Sequence, residues 1–204
     1  MKVLILRGPS GAGKTTLARR VADLSDSVIK GVLSADAGFY SGGTQFNLLD
    51  TSKDAKYSYD VRKLGEYHYR ALGEFMELAA AGASTLVVDS TSIRTWEWYP
   101  FFLHAHALTT AKPMHISVLS VVPETVSDIK LCWERGTHGV SLAKVAEQAC
   151  SMEPAEPVLT PYINSGSLVF CRTVATVDSI KLTTSDDLVR LFPFSHAPRE
   201  TCES

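Results

Sequence analysis

At 204 residues, with 45% hydrophobic and 21% charged residues, the chain has the length and composition of one globular domain, and the disordered and fibrous classes are excluded. A formal net charge of -2 gives the whole molecule no attraction for polyanions, although a local basic cleft would not alter that total. The four cysteines, Cys132, Cys150, Cys171 and Cys202, form no Cys-x-x-Cys pair, and no run of about 18 apolar residues exists, so the expectation is a reduced intracellular protein, cytoplasmic or nuclear, with no membrane association.

Short apolar runs alternate with longer amphipathic ones, the pattern of a βαβ protein with a mostly parallel central sheet. The first strand is predicted over residues 3–7; its apolar run stops at Arg7, too early for a secretory leader. A helix over 15–24 places Leu17, Val21 and Leu24 on one face, and a strand follows over 27–33. Residues 39–54 are rich in Gly, Ser and Thr without a period and read as a long loop of the kind that carries function. The next helix, 61–81, turns Leu64, Leu72, Phe75 and Leu78 inward and stops at Gly82. Then come a strand at 84–89, a helix at 95–110, a strand at 115–121, and helices at 124–135 and 141–152, the last with Leu142, Val145 and Ala149 inward. Pro154, Pro157 and Pro161 mark a change of organisation, a last strand is expected at 167–172, and 198–204 reads as a loose tail. The expected division is a nucleotide-binding domain over 1–153 and a C-terminal extension over 154–204 packed on it, with no internal repeat.

Between the first strand and the first helix lies Gly8-Pro9-Ser10-Gly11-Ala12-Gly13-Lys14-Thr15, followed by Thr16. A glycine-rich turn in that place exposes consecutive backbone N–H groups at the positive end of a helix, which together cradle phosphate oxygens. Lys14 then reaches the β- and γ-phosphates of ATP and the Thr15 hydroxyl ligates Mg2+. The full pattern arises by accident in a chain this long on the order of 1% of the time, and the strand and helix around it set the chance-turn reading aside.

In an open α/β sheet ligands lie beyond the carboxyl ends of the strands, which directs attention to Asp36 and Asp89. Leu86-Val87-Val88-Asp89 has the apolar-run-then-Asp form whose carboxylate serves magnesium or the phosphate acceptor. Asp36 follows the second strand, where a carboxylate can take the proton of an attacking hydroxyl. For both, a helix cap or a turn is the competing reading. Arg135, in Glu134-Arg135-Gly136-Thr137-His138-Gly139, reads either as a lid arginine that stabilises a transferring phosphoryl group or as a helix-end cation. His138 reads as a lid contact or a turn residue. The aromatics of Trp96-Glu97-Trp98-Tyr99-Pro100-Phe101-Phe102 read as core more readily than as a base-stacking surface. His104 and His106 lack the i, i+4 spacing of a helical metal site, so no zinc is expected.

The phosphate loop, Ser34-Ala35-Asp36, Val88-Asp89-Ser90-Thr91 and Arg135 through His138-Gly139-Val140-Ser141, in that order, resemble the polynucleotide-kinase-like P-loop family, that of the bacteriophage 5′-polynucleotide kinase domain. Lys56-Tyr57-Ser58-Tyr59-Asp60 and Lys63-Leu64-Gly65-Glu66-Tyr67-His68 are similar to its AAA-type ATP-binding, kinase-like branch. The resemblance spans residues 3–153 and implies an α/β P-loop NTPase fold of three layers with a helical lid. It implies transfer of the ATP γ-phosphate to a 5′-hydroxyl of RNA or DNA, with Asp36 as general base, Arg135 as lid arginine and Asp89 near magnesium or acceptor. The chain departs from the family where a second acidic residue is replaced by Ala37, where an acceptor-gripping arginine is replaced by Gly38 or Phe39, and where Asn-Thr-Asn becomes Ser90-Thr91-Ser92, with Arg94 nearby as a substitute. Two other functions fit the same residues: a kinase for a nucleoside, nucleotide or other small hydroxyl acceptor, and a non-catalytic ATP-binding module that regulates a partner. No oligomeric state is legible.

Overall fold

The computed structural model describes residues 1–25, 29–51, 55–109 and 114–180, with 183, 184, 187 and 191. Strands β1 (Lys2–Arg7), β2 (Lys30–Leu33), β3 (Thr85–Asp89), β4 (His115–Val121) and β5 (Val169–Val174) pair in parallel in the order β2-β3-β1-β4-β5. Helices α1 (Lys14–Leu24), α2 (Ala35–Ser41), α3 (Leu64–Ala80), α4 (Thr95–Leu108), α5 (Val126–Arg135), α6 (Leu142–Cys150) and α7 (Glu156–Asn164) surround the sheet. Strands covered on both faces carry continuous apolar runs, and alternate residues then serve opposite layers. Val3 and Ile5 of β1 join a core with Phe75 of α3, Trp98 and Phe102 of α4 and Leu159 of α7, while Leu4 and Leu6 join another with Leu17 and Val21 of α1. The result is the three-layer P-loop architecture, with α5 and α6 as a helical pair beyond the strand ends. No helix among the described residues is long and apolar enough to cross a membrane.

Two helices escape the sequence pattern. The 39–54 loop is corrected at its start, because Ala35–Ser41 is helical: the Ser34 hydroxyl caps it by accepting from the Asp36 N–H at 3.2 Å, and Gly42 ends it at φ 68°. Its Gly-rich end hides the period, and burial of Phe39 holds it down. Beyond it the chain returns to the sheet, where Asn47 Oδ1 accepts from the Val32 N–H at 2.9 Å; residues 52–54 lie outside the described part. Helix α7 forms amid the prolines because Pro157 falls in its first turn, where a missing N–H costs nothing, and fully buried Leu159 anchors it. In α6, Val145 is buried as expected, but Leu142 is 41% exposed, since the first turn of that helix extends past the core. In α4, Trp98, Phe101 and Phe102 are core while Trp96 is 61% exposed. Residues 27, 28 and 110 and the expected tail lie outside the described part.

One buried cation ties the strand ends together. Arg7, with no exposed surface, donates from Nε to Ser92 O at 3.0 Å and from Nη2 to Glu153 O at 2.6 Å and Ile93 O at 3.4 Å; Nη1 reaches Ser120 Oγ at 3.3 Å. The guanidinium also lies 4.9 Å from the Trp98 ring centroid. Burial holds its pKa down from 12.5 to about 10, against the pull of surrounding acidic groups. That shift corresponds to a cost of about 3 kcal/mol for the buried charge. Removing the guanidinium would leave the Ser92 and Glu153 carbonyls without this donor, at about 1–3 kcal/mol each, whereas Ile93 O keeps the Glu153 N–H at 3.0 Å. Arg7→Met is therefore expected to lose about 2–4 kcal/mol in urea unfolding, and an unchanged midpoint would contradict this.

His68 of α3 packs against Trp96, with ring centroids 5.8 Å apart, and burial pushes its pKa below the ordinary 6.5 while Glu97 and Asp36 oppose. The folded chain thus binds the imidazole proton less tightly than the unfolded chain, so this contribution is present above pH 6.5 and is lost as pH falls below it. The melting temperature should drop between about pH 7 and about pH 5.5, and drop less in His68→Gln; equal slopes would contradict the assignment.

Candidate active site

The loop from Gly8 to Gly13 joins β1 to α1 at the carboxyl edge of the sheet. Gly11 (φ 76°) and Gly13 (φ 84°) lie in the left-handed region that glycine alone adopts freely. Both are also crowded: a Cβ on Gly11 would strike the Cys132 carbonyl of α5, and one on Gly13 would strike the side chain of Val177. The loop is therefore clasped by α5 on one side and by the turn after β5 on the other. Helix α6 adds a third hold, as Gln148 Oε1 accepts from the Ser10 N–H at 2.9 Å. Lys14 is 7% exposed and donates to the Pro9 carbonyl at 2.8 Å, whereas Thr15 and Thr16 stand exposed at the head of α1.

Register sets the carboxylates around this loop. Leu6 is paired with Asp89 and Leu33 with Val88, so Asp89 ends β3 directly beside the phosphate-loop strand, with no strand between them. Asp89 is 3% exposed; burial pushes its carboxyl pKa up, opposed by the Lys14 ammonium and a hydrogen bond from Thr15. Burial likewise pushes the Lys14 ammonium down, opposed by Asp89 and Asp36. Asp36 lies two residues past the strand-end cap, in the first turn of α2. Ser34 is the cap, so Asp36 is neither cap nor turn residue, and Asp89 is a strand terminus.

These groups meet in a cavity of about 550 Å³, whose walls include Ser10, Gly11, Gly13, Lys14, Thr15, Thr16, Asp36, Asp89 and Arg135. Gly8, Pro9 and Ala12 shape the loop from behind, Ala12 buried and Pro9 through its carbonyl. Arg135, the last residue of α5, is both at a helix end and in the wall, where it pairs with Asp178 at 2.9 Å. His138 is in the wall too, its Nδ1 3.4 Å from the Tyr40 hydroxyl. Arg94 is not in the wall: it pairs with Glu153 at 3.3 Å, because the N-terminus of α4 points it toward the segment before α7. Sequence reasoning missed Arg19, Tyr40 and Asp178. Arg19 and Tyr40 lie four residues after Thr15 and Asp36, one helical turn on, and that spacing was the available signal; Asp178 has none.

The donor set fits the ligands the sequence suggested. A hydroxyl bonded to a carboxylate, Thr15 with Asp89, offers the hard oxygens that magnesium prefers. Two glycines that admit no Cβ, a helix N-terminus and a buried ammonium suit a polyphosphate chain.

A family model described as an AAA domain matches residues 3–127. NEDD4-binding protein 2 of Homo sapiens is 28% identical over 145 residues, 70% of this chain, and the chain spans 7% of that protein's length. Among solved structures, shikimate kinase from Acinetobacter baumannii, in complex with shikimate, superposes with a TM-score of 0.44 at 16% identity, covering 93% of this chain and 88% of that one. A sugar kinase from Janibacter gives 0.44 at 16% identity, covering 93% and 91%. The family match takes in the phosphate loop, Asp36, Asp89 and more than half of the 204 residues, and the chain belongs to this AAA domain family.

Proposed function

We propose that the chain is an ATP-dependent phosphotransferase, a 5′-hydroxyl polynucleotide kinase that moves the γ-phosphate of ATP to RNA or DNA. The observation that carries this reading is that Asp36 shares one cavity with Lys14, Thr15 and Asp89 and, among the described residues, has a tyrosine and no cation as its side-chain partner. A carboxylate so placed can take a proton from an acceptor hydroxyl. The acceptor oxygen then bonds the γ-phosphorus, the bond from that phosphorus to the β-phosphate oxygen breaks, and ADP leaves. Lys14 and the loop amides would hold the phosphates, Thr15 and Asp89 would hold magnesium, and Arg135 would meet charge on the transferring group after exchanging Asp178 for it. Magnesium, when bound, neutralises charge on the β- and γ-oxygens. The choice of a polynucleotide end rests on the order of motifs through Asp36, Asp89, Arg135 and His138.

A second reading, a small hydroxyl acceptor, is favoured by one observation. Ala37, Gly38 and Phe39 are buried, and Arg94 faces Glu153, so the acceptor side has no cation from those positions to grip a phosphodiester.

The test is transfer from γ-labelled ATP, with magnesium, to 5′-hydroxyl RNA, 5′-hydroxyl DNA, 5′-phosphorylated RNA and a panel of nucleosides and sugars. Label is expected on a 5′-hydroxyl end, with Lys14→Ala abolishing it and Asp36→Asn lowering kcat about 10²–10⁴-fold while ATP affinity stays within about twofold. Label on small acceptors alone would overturn the polynucleotide assignment, and ATP binding without any transfer would favour the regulatory module.

A further inference from the structure

Tyr57 belongs to the irregular stretch between α2 and α3, yet its side chain is held on several sides. Its hydroxyl donates to Asp36 Oδ1 at 3.3 Å. Its ring lies 4.3 Å from that of His138 at an interplanar angle of 36°, and 5.0 Å from that of Tyr40. Phe39 meets it edge-on at 5.8 Å, and the next residue is bonded to α2 through Ser58 N–H to Phe39 O at 3.0 Å. Burial and the Asp36 charge push the phenol's pKa up, so the hydroxyl keeps its proton and remains a donor.

A carboxylate on its own turns freely about its terminal torsion, which has broad wells. One fixed donor on one oxygen settles which oxygen faces the cavity and leaves the other with its acceptor sites open. We propose that Tyr57 is a positioning residue for Asp36, holding the carboxylate toward the acceptor hydroxyl, and that the packing of His138 on Tyr57 ties that placement to the turn between α5 and α6. The inference rests on the phosphotransferase reading above. In the transfer step the acceptor proton passes to the Asp36 carboxylate, the acceptor oxygen bonds the γ-phosphorus as the bond to ADP breaks, and Tyr57 keeps its own proton throughout. The tilted ring contact of Tyr57 with His138 links the α5–α6 turn, which also carries Arg135 at its start, to the base on α2, and Asp36, Arg135 and His138 all line the cavity.

The full chain with Tyr57→Phe keeps the ring and loses only the hydroxyl. On whichever acceptor the unaltered chain labels, kcat is expected to fall about tenfold, with KM for ATP within about twofold and the melting temperature unchanged. In an Asp36→Asn background the same change should cost less than about twofold more, because the two residues act as a unit. His138→Ala should lower kcat about threefold, and His138→Phe, which retains a ring, should recover part of that loss. Transfer by Tyr57→Phe at the unaltered rate would overturn the inference alone. So would a kcat loss matched by equal losses of ATP affinity and thermal stability, which is what broken packing produces. No transfer by the unaltered chain to any acceptor would overturn the phosphotransferase reading and this inference with it.

Discussion

The pairing of β1 with β3 is the constraint from which the site follows. Both strands are buried on two faces, so neither can carry a polar side chain into the cavity along its length, and chemistry can begin only where they end. A register that pairs Leu6 with Asp89 brings the last residue of β3 level with the start of the phosphate loop. With β2 one strand further out, the same edge receives Ser34 and the head of α2. Apolar runs on both faces do little to fix register by themselves, since a slip exchanges one apolar residue for another. Polar anchors at the ends do the fixing here: shifting β1 would tear Arg7 from the carbonyls of Ser92, Ile93 and Glu153.

The same edge concentrates charge at a cost to the folded chain. Asp89 and Lys14 are each buried and each pushed toward its neutral form by that burial, and they partly offset one another. A pair so placed is weak ground for stability, because the loss of hydration rivals the mutual attraction. Under the proposed function it is a fixed arrangement that a polyphosphate and a divalent cation would complete, with donors and carboxylate held before the ligand arrives. The clasp around Gly11 and Gly13 serves the same end, since a loop pinned by α5, α6 and the turn at Val177 has little freedom to lose on binding. Arg135 differs: its partner Asp178 is half-exposed, and an ion pair of that kind is worth about 0–1 kcal/mol, weak enough for the exchange that the proposed function would ask of it.

Local patterns made much of this visible in the sequence. The phosphate loop is a contiguous motif between a strand and a helix, and the apolar runs at 3–7, 84–89 and 115–121 are the buried strands they resemble. Where local composition and tertiary burial disagree, the pattern fails. Helix α2 is obscured by glycine and serine yet held by Phe39, and α7 is obscured by prolines yet held by Leu159. Leu142 has helical phase, but its turn projects beyond the core. Arg94 was near the right strand end in sequence, but the entry into α4 turned it to Glu153. The contacts of Tyr57 with Asp36, of His138 with Tyr40, and of Asp178 with Arg135 join segments 21 or more residues apart by no shared period, so no reading along the chain could have found them.

The proposed function requires the cavity at the strand ends to take a magnesium-bound triphosphate held by Lys14. Thermal unfolding with and without Mg·ATP tests it most directly. At about 100 times the dissociation constant a ligand specific for the folded state adds about 2.7 kcal/mol. For a chain of this size that is a rise of roughly 5–10 °C in the melting temperature. This rise is expected for the unaltered chain and is expected to be lost in Lys14→Ala. No rise at millimolar Mg·ATP, or an equal rise in Lys14→Ala, would contradict it.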